Sequence, residues 1–267
     1  MFGHTADRPM VVVNWLAHDG RMARVLITGS SSGLGLMAGQ LLIEEGHEVV
    51  LHARDKSRDP GVAEVVLGDF TSMAEVRSVA AQADELGPFD AVIHNVAVGY
   101  QERRRVLTED GFAHVFAVNV LAPYLLTASM ARPSRLVYLS SGMHRGGDPS
   151  LDDLQWERRR WNGSQAYSDS KFWDVVLAFA LARRWPGIPS NAVDPGWVAT
   201  RMGGRGAPDD LSQGHVTQVR LALGEIAGTG AYYYHLTRAN THPAASDPAL
   251  QDAFLATCAE LTGTPIG

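Results

Sequence analysis

The chain has 267 residues, 23 of them basic and 29 acidic, for a net charge of −6. That sign excludes nonspecific nucleic-acid binding, which needs a basic surface to displace phosphate counterions. With 45% hydrophobic and 19% charged residues, the composition also excludes a disordered or collagen-like chain.

No apolar run approaches the roughly 20 residues needed to cross a bilayer, so no membrane partner is expected. The single cysteine, Cys258, allows neither an internal disulfide nor a cysteine metal cluster. Val11-Val12-Val13 lacks the length and flanks of a signal peptide, and the expected location is the cytoplasm. Residues 1–21 show no clear period and are read as a mobile extension or a start-site artefact, leaving one domain over 22–267.

Strand-like apolar runs fall at 25–27, 49–52, 65–67, 91–94, 135–139, 190–193 and 231–235. Helical stretches alternate with them, at about 33–45, 72–86, 109–130, 166–185 and 248–261. This alternation is the pattern of βαβ units. It predicts an α/β fold: a single Rossmann-type, doubly wound parallel sheet of about seven strands with helices on both faces.

The first strand runs into Thr28-Gly29-Ser30-Ser31-Ser32-Gly33-Leu34-Gly35, and a helix follows at once. Glycines let the backbone turn sharply and approach a pyrophosphate, whose charge then rests on exposed amides at the helix N-terminus. Gly29, Ser31, Ser32, Gly33, Leu34 and Gly35 are therefore candidate dinucleotide contacts. The second strand ends at Arg54, where such a fold meets the adenine ribose. A guanidinium there favours NADP(H) over NAD(H), unless Arg54 is surface and Asp55 the ribose ligand. After the third strand, Asp69 and Phe70 stand where a carboxylate can accept from the adenine amino group, although Asp69 serves equally as a helix cap.

Tyr167-Ser168-Asp169-Ser170-Lys171 is the sharpest signal. On a helix, i and i+4 share a face, so phenol and ammonium point into one cleft. A neighbouring cation favours the phenolate and moves a tyrosine toward useful proton exchange. Lys171 is one of only two lysines, against 21 arginines, and the pair follows Leu139-Ser140-Ser141 at a strand end.

These motifs resemble the short-chain dehydrogenase/reductase family from about Val25 to at least Met202. The residues carrying the likeness are the 28–35 loop, Asn95, Asn119, Ser141, Tyr167 with Lys171, and Asp194-Pro195-Gly196-Trp197-Val198-Ala199-Thr200. The sub-pattern is similar to the retinol-dehydrogenase-like branch and to bacterial ketoreductases of the daunorubicin C-13 type. The resemblance implies Tyr167 as general acid, Ser141 holding the substrate oxygen, and Lys171 tuning Tyr167 and holding the nicotinamide ribose. It further implies that Asn119 supports a water-linked proton path behind Lys171. Asn95 would contact the cofactor, and Pro195, Gly196, Val198 and Thr200 would run past the nicotinamide. A homodimer or homotetramer is also implied.

Two departures stand out. The family's usual Asn-Ala-Gly is here Asn95-Val96-Ala97, and Ser141 and Tyr167 lie about twice the common distance apart. The insert carries Trp156 and Trp161, so segment 142–163 either closes over substrate or is pinned to the domain by its indoles. None of the ten histidines forms a close metal-like pair, and no metal is expected. The resulting expectation is an NADP-dependent ketoreductase or alcohol dehydrogenase with a small-molecule carbonyl substrate, bulky and apolar. Its rivals are a sugar-nucleotide epimerase or dehydratase, which typically has Gly-x-x-Gly-x-x-Gly and a longer C-terminal region, and a noncatalytic NADP-sensing protein, which normally lacks a catalytic side chain.

Overall fold

The computed structural model describes residues 21–267, so the 1–21 extension lies, but for its last residue, outside the described residues. Strands buried on both faces read as short continuous apolar runs, and the runs found in the sequence become β1 (Arg24–Ile27), β2 (Glu48–Ala53), β3 (Glu64–Leu67), β4 (Ala91–His94), β5 (Leu136–Leu139), β6 (Ser190–Asp194) and β7 (Tyr232–Tyr234). An eighth, β8 (Thr237–Ala239), completes one sheet in the order β3-β2-β1-β4-β5-β6-β7-β8. Every pairing is parallel except β7 with β8.

Alternate residues of each strand face opposite layers. Val25 and Ile27 pack with Ala38 and Leu42 of α1 (Gly33–Glu44) and with Val219 and Ala222 of α6 (Val216–Leu223). Leu26 belongs to the opposite, larger layer, which holds α2 (Met73–Leu86), α4 (Ala122–Ser129), α5 (Gly163–Arg184) and α7 (Pro248–Thr262). The helix expected near 109–130 starts later, as α3 (His114–Phe116), and passes through a π turn (Ala117–Leu121) into α4.

Strand order reverses between β1 and β4, and in such sheets the crevice at the carboxyl ends of the strands is the binding place. Two features shape it. Residue after residue of α5 from Ala166 to Leu181 is buried, so Tyr167 and Lys171 sit on a helix enclosed on all sides. The link from β2 to β3 contains no α-helix, only a 3₁₀ turn (Lys56–Arg58) whose Ser57 amide is capped by Asp55.

Candidate active site

The glycine loop is built so that only glycine fits. Gly29 and Gly33 have φ of 63° and 59°, in the left-handed region. A Cβ on Gly35 would stand 2.5 Å from Asn95 Nδ2 and 2.7 Å from the Gly29 carbonyl. That space is taken because Asn95 Nδ2 donates to the carbonyls of Thr28 and Gly29, both at 3.0 Å, tying the loop to the end of β4. No side chain caps the first turn of α1, which leaves it free to receive an anion.

His52 holds the loop from the other side. Its Nδ1 accepts from the Gly29 amide at 3.0 Å, and its Nε2 donates to the Gly68 carbonyl at 2.8 Å. Burial lowers its pKa to about 4, so the neutral tautomer is fixed. Sequence reasoning passed over His52, because a lone histidine in a strand carries no spacing signal.

Two compartments meet at α5. The first, about 770 Å³, is lined by Gly29, Ser31, Ser32, Gly33 and Leu34 of the loop, by Asn95, and by Tyr167, Lys171, Pro195 and Thr200. The second, about 660 Å³, is lined by Ser141, Tyr167, Gly196 and Val198, with Tyr100, Met143, Trp197, Met202 and Tyr234 as its bulky walls. Trp197, not the tryptophans of the insert, shows its ring there, with 57% of the residue exposed.

Besides Gly35 and Asn119, three sequence candidates, all meant for the adenine and its ribose, fall outside the lining. Phe70 is buried and stacked on His52, with ring centroids 4.3 Å apart. Asp69 accepts from the Thr71 amide and hydroxyl at 2.9 and 2.8 Å; the cap of α2 itself is Ser72. The Arg54 guanidinium lies between two carboxylates, 3.6 Å from Asp55 and 3.5 Å from Asp69. From this part of the chain, the residues lining the first compartment are instead Ser57, Arg58, Asp59 and Pro60. The helix-free β2–β3 link brings them there, and no sequence pattern announces it.

At the junction, Tyr167 and Ser141 line the same compartment, and Ser141 is near enough to favour the phenolate slightly. Burial raises the Tyr167 pKa above its ordinary value; the Lys171 charge is the largest influence pulling it back, and Asp174 and Asp194 push it further up. The expected lowering by Lys171 is thus present but outweighed by burial. Lys171 Nζ lies 5.8 Å from the Tyr167 ring centroid and donates to the Leu139 carbonyl at 2.8 Å and Asp174 Oδ2 at 2.7 Å. Burial works against its ammonium, but Asp174 and Tyr167 more than offset that and raise its pKa.

Asn119 sits in the π turn, and its hydrogen bonds go to partners other than Lys171. Its Oδ1 accepts from the Val98 amide at 2.8 Å, and its Nδ2 donates to the Val98 carbonyl at 2.9 Å and to Ser170 Oγ at 3.0 Å. It braces the segment after β4 against α5 one residue from Lys171.

The insert does not close over the cleft with its tryptophans. Trp156 is buried beneath the Arg159 guanidinium, 3.9 Å above its ring, and Trp161 Nε1 donates to the Glu102 carbonyl at 2.8 Å. Arg159 also pairs with Asp148 at 3.0 Å, Asp153 at 3.3 Å and Asp169 at 2.9 Å. Both indoles border a small interior void beside Phe116 and Trp173, away from Ser141, and pin the segment to the domain. Among the described residues, no helix is long and apolar enough to cross a membrane.

Comparison with known proteins gives the same frame. The short chain dehydrogenase family model matches residues 23–143. The short-chain dehydrogenase chyC of Penicillium rubens is 38% identical over 255 residues, 91% of this chain and 98% of its own. A Streptomyces protein bearing the name daunorubicin C-13 ketoreductase DnrU is 33% identical over 202 residues, 70% of each chain. A crystal structure of an uncharacterized protein from Mycobacterium paratuberculosis superposes with a TM-score of 0.78 at 25% identity, covering 92% of this chain and 95% of that one. With near full-length relatives at this identity, and the glycine loop, Ser141, Tyr167 and Lys171 gathered at one crevice, the chain belongs to the short-chain dehydrogenase family of oxidoreductases.

Proposed function

We propose that the protein is an NADPH-dependent ketoreductase that converts a bulky, neutral, mostly apolar ketone to a secondary alcohol, with the reverse oxidation available to the same site. The observation that carries this reading is the meeting of Ser141, Tyr167 and Lys171 where the two compartments join. A dinucleotide fits the first compartment. The glycines clear space for it, the uncapped first turn of α1 suits its pyrophosphate, and Lys171 lines the far end. When bound, the nicotinamide supplies the hydride; the protein supplies the proton and the placement.

In this reading Tyr167 gives its phenolic proton to the carbonyl oxygen, and Ser141 donates a hydrogen bond to that same oxygen as charge builds on it. Lys171 counters the effect of burial on Tyr167 and offers an N–H to the nicotinamide ribose. Asn119 keeps α5 and the segment after β4 in register behind them. Pro195, Gly196, Val198 and Thr200 form the wall along the nicotinamide. Arg58, with Arg54 nearby, supplies the positive charge suited to a ribose 2′-phosphate, which supports NADPH over NADH.

The substrate compartment is walled by aromatic and thioether side chains and carries two carboxylates, Asp194 and Asp209, with no basic residue in its lining. Such a wall favours a neutral apolar ketone over an anionic one. The ketoreductase name of DnrU supports a carbonyl substrate. The buried thiol of Cys258 suits a cytoplasmic setting. A panel of ketones and alcohols, followed by nicotinamide absorbance with NADPH and NADH in parallel, tests the proposal. Turnover is expected to be fastest with NADPH and a large neutral ketone, and slow with small keto acids. No change in absorbance with any pair would overturn it.

A further inference from the structure

Lys171 is held from behind by a second buried charge that no dinucleotide motif includes. Its side chain and that of Asp174 are 2% and 4% exposed, and Asp174 Oδ2 accepts from Nζ at 2.7 Å. Residues three apart on a helix are neighbours on one face. Lys171 lines the cofactor compartment, whereas Asp174 does not.

An ammonium has three donors in fixed tetrahedral relation. One is spent on the Leu139 carbonyl at the end of β5 and one on Asp174, so the direction of the third is set. A buried ammonium without a counter-charge loses its proton.

We propose that Asp174 is a positioning residue of the active site: it keeps the Lys171 ammonium charged and leaves its third N–H aimed into the cofactor compartment. This inference rests on the role given to Lys171 above. The groups that feel the Asp174 charge are Lys171 and Tyr167 on its own helix and Tyr138 on β5. Burial pushes the Asp174 carboxyl up to about 6, against the pull of Lys171, the one charged group acting on it. Toward Tyr167 the carboxylate acts the wrong way, opposing the phenolate, so whatever it adds to catalysis passes through Lys171.

The two-lysine composition makes a direct test practical, because lysine labelled with carbon-13 at Cε gives one signal each for Lys56 and Lys171. Asp174→Asn keeps the shape and an acceptor oxygen but removes the charge. We expect the titration midpoint of the Lys171 signal to fall by about one pH unit or more. In ketone reduction, kcat should fall on the order of tenfold, with the ketone KM little changed and the alkaline limb of the kcat profile moved to lower pH. An unchanged Lys171 midpoint, or unchanged kcat and pH profile, overturns the proposal; a merely structural role would lower thermal stability alone.

Should Asp174→Asn fail to fold, Lys171→Met is compared with the double variant Lys171→Met/Asp174→Leu, which removes both buried charges at once. The second change should cost no further turnover, and a further tenfold loss would overturn the proposal. Failure of the functional reading itself is separate: it shows in the unmodified protein as absence of nicotinamide turnover, while the Lys171 titration still decides the role of Asp174.

Discussion

Arg54 Nε lies 3.5 Å from Asp69 Oδ2, so the arginine that follows β2 already faces a carboxylate, while Arg58, four residues on, lines the first compartment. Asp59 beside it has both oxygens engaged, by Lys56 Nζ at 2.6 Å and by the Gly61 amide at 2.8 Å. The carboxylate is thus committed, whereas the Arg58 guanidinium has no ion-pair partner among the described residues. Removing Arg58 should weaken NADPH binding by roughly one to two decades, from the loss of about 1.5–3 kcal/mol of charge-assisted bonding. Arg54→Ala should weaken it less, and NADH affinity should stay within a few-fold in both. Fluorescence titration of each cofactor against each protein checks this, and unchanged NADPH affinity in both variants would contradict it.

Acid should weaken the fold through two buried histidines. His52 and His94 are lowered from 6.5 to about 4 and about 3, chiefly by burial. Their neutral forms belong to the folded state, so as pH falls below 6.5 the unfolded chain takes up protons that the folded one does not. Their contribution is complete above about pH 6.5 and is lost progressively down to about pH 4 for His52 and about pH 3 for His94, at up to ~1.4 kcal/mol per pH unit for each group. Denaturant midpoints at pH 7, 6 and 5 should therefore fall. Replacing His52 by Asn should flatten that slope and, by loosening the Gly29 turn, weaken NADPH and NADH together.

Trp156 is a core residue and Trp197 a cleft residue. Truncating a buried aromatic costs about 3–5 kcal/mol, so Trp156→Ala should lower the melting temperature sharply while the KM values of large and small ketones move together. Trp197→Ala should leave stability nearly unchanged and raise KM for the large ketone selectively. The opposite pattern would place the insert over the substrate.

Seven strands, the glycine loop and the Tyr167–Lys171 pair were legible because each repeats a strong period or a fixed spacing. The β7–β8 hairpin was not. Its turn residues, His235 and Leu236, have φ of 44° and 66°, a conformation normally announced by Asn-Gly, and here adopted by residues that announce nothing. Helix α6 is only eight residues long and falls where the strand alternation lapses. For Trp156 and Trp161 the polar stretch left two readings open, cover for a ligand or anchors for the loop; Arg159 and three aspartates supply that polarity, and the guanidinium lies over the Trp156 indole. Asp174 was hidden for a related reason. Inside a helix buried all round, a carboxylate has no amphipathic pattern to stand against, and only the Lys171 contact reveals it.

The most direct measurement of the central claim is Tyr167→Phe, assayed for both turnover and NADPH binding. The ring and its contact with Tyr100, 5.8 Å between centroids, are kept, and the exchangeable proton is lost. General acid catalysis of this kind is worth roughly 10²–10⁴-fold, so NADPH oxidation with the best ketone should drop by at least about a hundredfold while NADPH affinity stays within a few-fold. A variant that binds NADPH normally and keeps more than about a tenth of the unmodified turnover would contradict the assignment of Tyr167 as the proton donor.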